Sequence, residues 1–161
     1  MKRKANLLLF SFNMILLAIS WVMAIYAYSR LPARMPLWIN FFGREPSLSA
    51  KSPVFLLYVV GQTLLVAFVI LFIRVRLRRQ NPNKSLPVRN LREEFILLAL
   101  IFFQLLFIHV QRSLILMAHG IESGIRPFYF YSVVGIIFLL IPLYRMRLKI
   151  LERVQDQSRR R

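Results

Sequence analysis

The chain has 161 residues, 58% of them hydrophobic and only 18% charged, and its mean hydropathy is +0.57. That balance excludes an ordinary soluble domain, whose charged share is nearer about a quarter. A net charge of +17 makes anionic surfaces natural partners, and the lack of cysteine excludes disulfides and thiolate metal sites.

Charge-free apolar runs cover Ala5 to Ser29, Ser52 to Ile73, Phe95 to Gln111 and Pro127 to Tyr144, the third continuing past a single Arg112 to Ile121. Roughly 20 residues at ~1.5 Å each cross ~30 Å of hydrocarbon, and each run approaches or exceeds that. The expectation is an all-α membrane protein: one domain with four transmembrane helices, near 5–29, 52–74, 94–119 and 127–146, in an antiparallel bundle. A soluble bundle would keep a polar stripe on each helix, and Val54 to Ile73 has none. MKRKA before the first run resembles the start of a signal peptide, but the run is longer than an h-region and no A-x-A-like site follows, so it reads as a retained anchor.

Residues 30–51 form the first connection. Pro32, Pro36, Gly43 and Pro46 forbid a regular helix there, yet Met35, Leu37, Trp38, Ile39, Phe41 and Phe42 are too apolar for a solvated loop. An irregular element lying on the membrane surface, or packed as a lid on the helix ends, meets both demands. The second connection, from Arg74 to Arg92, is strongly basic and carries the turn signal Asn81-Pro82 and then Pro87. Glu93 and Glu94 follow at the expected start of helix three, where carboxylates suit the dipole. A short third connection with Gly120 and Gly124 predicts a hairpin of helices three and four. Past Tyr144 the helix is expected to run on into a basic tail, 147–161, with Ile150, Leu151 and Val154 on one side for the lipid surface.

Lysine and arginine set the orientation. The N-terminal segment, the second connection and the tail carry 17 of them, the other two connections five. The positive-inside rule then puts both termini in the cytoplasm of a multi-pass cell-membrane protein, with residues 30–51 outside and anionic lipid the partner of the basic face. No helix-turn-helix, zinc or stacking motif accompanies the charge, so nucleic acid is not an expected partner.

Several polar residues fall inside the apolar runs. Asn6, Asn13 and Ser20 recur every seven residues on helix one, as do Gln104 and Gln111 on helix three, and seven residues return to nearly the same face. Hydrogen bonds between helices are the plain reading, and a polar path or ligand groove is the sharper one. Arg112, a charge inside an apolar segment, is expected to face the bundle and to reach Glu45, Glu122 or Asn40. His109, one turn away, is expected to be a structural hydrogen-bonder.

Leu31, Pro32, Pro36, Asn40, Gly43 and Lys51 fall at the spacings of L-P-x-x-x-P-x-H-x-N-x-x-G with a later Ser or Lys. In this the chain resembles the membrane domain of unknown function 1648, which also occurs in immunity proteins against the sporulation-delaying toxin. The resemblance covers the first connection and its flanking helices, and implies a multi-spanning receptor that protects its host and signals. Trp38 stands where the pattern has His, and Pro46 where an acidic residue commonly follows. The second-half motif of the immunity proteins is absent.

Catalysis finds no support: no paired carboxylates converge, and no Ser-His-acid set, phosphate loop or zinc motif is present. No cofactor or metal is implied. The expected function is binding, immunity-like or sensory, through the outer loop and the bundle, with Trp38, Asn40, Gly43 and Arg112 as candidate contacts for a protein or peptide partner. A small carrier or channel subunit using the polar surface of Asn13, Gln104, Gln111 and Arg112 is the alternative, and a structural subunit of a membrane complex a third.

Overall fold

The structure is a computed structural model and describes residues 2–36, 48–77, 86–122 and 126–159. Helix α1 covers Lys2–Arg30, and strands β1 (Arg34–Pro36) and β2 (Leu48–Ala50) follow. A 3-10 turn, Pro53–Leu56, leads into α2 (Leu57–Phe72), which loosens into a π-helical turn at Ile73–Leu77. Then come α3 (Leu86–Ala118) and α4 (Pro127–Arg159). All four helices are long and apolar enough to cross a membrane.

Local chemistry sets the ends. Ser52 is extended and its hydroxyl accepts from Val54 N at 3.3 Å, with Pro53 at the first helical position, where no N–H is needed. At the end of α3, Gly120 has φ +68°. Its N–H donates to Met117 O at 3.0 Å, and Ile121 N donates to Leu116 O at 2.9 Å. These are the two bonds of a Schellman stop, which needs a left-handed residue at that point. Gly124, expected to share this turn, lies outside the described residues.

Two expectations need correction. Helix three starts at Leu86 and not near 94, because Pro87 falls in the first turn, where a proline is tolerated. Glu93 and Glu94 therefore sit two turns inside the helix and do not face its free N–H groups. The first connection is also not irregular throughout: its two ends pair as an antiparallel ladder, Arg34 with Ala50, Met35 with Ser49 and Pro36 with Leu48. Residues 37–47, with Trp38, Asn40 and Gly43, lie outside the described residues.

Helix α3 is the hub, touching α1, α2 and α4. On α1 and α3 the pairings rise together: Asn6 with Asn90, Asn13 with Leu97, Ser20 with Gln111. These two helices run in the same direction. Pairings with α2 run the other way, from Ala24 near Phe55 and Val59 to Leu9 and Phe10 near Ile73. Along α4, Tyr129 meets His109 and Tyr144 meets Phe95, so α4 also runs opposite to α3. One end of the molecule gathers Lys4, Arg74, Arg89, Arg92, Arg145 and Arg147 and is called the basic end below; the other carries the strands and is the ladder end. Helix α4 contacts α3 and leaves most of its surface open.

Candidate functional site

Two features stand out: a run of hydrogen-bonded polar side chains within the helices, and the strand pair docked on their tips. The first begins near the basic end, where Asn6 Nδ2 donates to Asn90 O at 3.4 Å. Two turns along, Asn13 Nδ2 donates to Leu9 O at 2.8 Å and across to Leu97 O at 3.1 Å. Gln104 Nε2 donates to Asn13 Oδ1 at 2.7 Å, and Gln62 Nε2 donates to Gln104 Oε1 at 3.0 Å. Ser20 Oγ stands 2.6 Å from Gln62 Oε1 and 3.0 Å from Gln111 Oε1. Asn13, Ser20, Gln62, Gln104 and Gln111 are all buried, so three helices are tied by a ladder of side chains away from both ends.

The proton count decides how this ladder ends. A serine hydroxyl has one proton, and the 2.6 Å contact to Gln62 claims it. Gln111 then bonds to Ser20 only with its NH2 group turned toward the hydroxyl. As placed, Gln111 Nε2 is buried with no partner. The expected interhelical bonds of Asn6, Asn13, Ser20 and Gln104 are present. Gln62 was missed because it lacks the seven-residue partner that singled out Gln104, although a lone glutamine in a charge-free run is itself a signal.

His109 is buried on the opposite side of α3 against the ring of Tyr129, with centroids 4.2 Å apart, and its Nε2 has no partner. A hydrogen bond to the Arg126 backbone gives it the structural role expected of it, and its ring lies tilted at 39° to that of Tyr129. Arg112 does not face the bundle: it is exposed. The ladder of Gln104 lies eight residues away, about 12 Å along α3. Tyr129, in the first turn of α4, meets His109, so Arg112 stands near the limit of the four-helix region. Glu122 is taken instead by Arg126, at 2.9 Å. Glu45 and Asn40 lie outside the described residues.

At the ladder end, Met35 is fully buried among Ala24, Leu31, Phe55, Val59, Leu114 and Met117. Strand β1 touches α3 directly. Lys51 fastens the base of the loop: its N–H donates to Ala33 O at 2.8 Å, its Nζ donates to Leu31 O at 3.2 Å, and its ammonium lies 5.0 Å over the Tyr28 ring. Leu31, Pro36 and Lys51 of the recurring motif thus hold the strand pair to the helices.

The chain matches no family model, and comparisons with curated proteins and with solved structures find no match either.

Proposed function

We propose that this is a binding protein of the cell membrane, immunity-like or sensory, that presents residues 37–47 to a protein or peptide partner outside the cell. The observation that carries the reading is the docking of β1 and β2: the base of the loop is held in a packed cluster by Met35 and closed by Lys51. The segment's apolar residues suit a partner surface, and a base already held in place leaves less to be ordered on binding. In this reading the helices cross as an antiparallel bundle, both termini are cytoplasmic, and the basic end faces anionic lipid. Three basic clusters meeting at one end support that orientation. The six motif positions support kinship with the domain of unknown function 1648.

A carrier or channel subunit is the second reading, favoured by the buried polar ladder itself, which runs from Asn13 through Gln104, Gln62 and Ser20 to Gln111 among three helices. Affinity purification of the tagged protein in mild detergent, with mass spectrometry of proteins and small molecules, separates the two. The binding reading expects a specific protein partner that is lost on Asn40→Ala or Trp38→Ala. A retained small molecule without a protein partner, with flux in liposomes, favours the carrier.

A further inference from the structure

Helix α4 is longer than a membrane requires. Pro127 to Tyr144 is 18 residues, about 27 Å, and the helix continues unbroken to Arg159, about 22 Å further. The charge-free run ends at Tyr144, which we take as the boundary; its ring stacks on Phe95 at 4.5 Å, and its hydroxyl accepts from Arg92 Nε at 3.3 Å. Just beyond, Arg147 stands 3.6 Å from Glu94, which ties the start of the tail to α3.

The tail has two adjacent stripes. Leu139 and Leu143, 61% and 52% exposed, belong to the span, and Met146 and Ile150, 61% and 59% exposed, continue the same side of the helix past the boundary. At 100° per residue these four fall within about 60° of one another. Arg145, Lys149 and Arg153 form a second stripe beside them, all exposed and without an ion pair among the described residues. An apolar stripe that leaves the span without a break and at once gains three cations on one flank is built for a surface with hydrocarbon below and negative charge above.

We propose that the first turns of the α4 tail dock on an anionic phospholipid surface, with Met146 and Ile150 in the headgroup zone and Arg145, Lys149 and Arg153 on lipid phosphates. Charge complementarity and continuity with the open face of the span select this occupant. The inference deepens the proposed lipid contact of the basic end by naming the residues that make it. Pro142, inside α4, leaves the Phe138 carbonyl without its usual donor and gives the helix a place to lean toward the membrane.

The chain has no cysteine, so Ile150→Cys carries a single polarity-sensitive fluorophore. The labelled full-length protein is placed in nanodiscs of phosphatidylcholine alone or with phosphatidylglycerol, and emission and quenching by neutral acrylamide are read. In the anionic discs the label shifts to the blue and is shielded; in the neutral discs it stays accessible. Replacing Arg145, Lys149 and Arg153 together by Gln lowers the docked-to-free ratio on the order of 100-fold and restores quenching. Equal access in both discs overturns the proposal. So does equal shielding in both, which shows that anionic charge is not what holds the stripe, or shielding that survives the triple substitution. A nanodisc exposes both membrane faces, so the result does not depend on which is cytoplasmic; labelling of position 150 in intact and permeabilised cells tests that separately.

Discussion

Replacing Gln104 by Leu removes the residue on which the polar ladder turns. Its amide makes two bonds between helices, donating to Asn13 Oδ1 at 2.7 Å and accepting from Gln62 Nε2 at 3.0 Å. Leucine is of similar volume, so the polar loss outweighs any cavity. Interhelical hydrogen bonds in a bilayer average about 0.6 kcal/mol, and two come to roughly 1.2 kcal/mol. Asn13 Oδ1 and Gln62 Nε2 are then left buried and unpaired, which brings the expected cost to about 1–3 kcal/mol, or roughly 5- to 150-fold in the unfolding equilibrium. The assay is reversible unfolding in mixed micelles of mild detergent and dodecyl sulfate, followed by circular dichroism. A cycle with Gln62→Leu makes the test sharper: the double variant removes both members of the Gln62–Gln104 bond and should cost less than the sum of the single ones. A wild-type unfolding midpoint for Gln104→Leu, together with strict additivity, would refute the reasoning.

Gln111→Leu should cost about half as much as Gln104→Leu or less in the same assay, because Gln111 has a single side-chain contact, to Ser20, where Gln104 has two between helices. Arg112→Leu should leave the unfolding equilibrium within about 0.5 kcal/mol of wild type, since Arg112 is exposed. Met35→Ala should cost about 2 kcal/mol or more, and hydrogen exchange of the amides of β1 and β2 should rise while the centre of α3 keeps its protection.

The four helices were legible in the sequence because length and apolarity alone decide them. The polar ladder was legible because a seven-residue spacing puts Asn6, Asn13 and Ser20 on one face whatever they meet. What they meet was not legible. Gln62 joins the ladder from a helix with no repeating polar pattern, and no spacing rule links it to Ser20 or Gln104. Arg112 was misplaced for a related reason: its exposure depends on which helices cover that face of α3, which is a tertiary fact. The strand pair escaped notice because three-residue strands with a proline in one of them carry no alternation to read.

The direction of α1 relative to α3 joins these observations. Bonds from Asn6, Asn13 and Ser20 reach successively later residues of α3, so the N-terminal ends of both helices lie together. The second connection must then return to the end from which α1 starts, and α4, running opposite to α3, delivers its tail there as well. Lysines and arginines scattered over three separate segments of the sequence thereby meet at one end. Helix direction brings them together, and register is a separate matter that the side-chain amides deep among the helices decide. A substitution that shifted α1 by one heptad against α3 would keep every helix apolar and still unpair Asn13 from Gln104. The polar ladder is therefore the element that makes one register better than its neighbours, in a setting where apolar side chains alone distinguish them weakly.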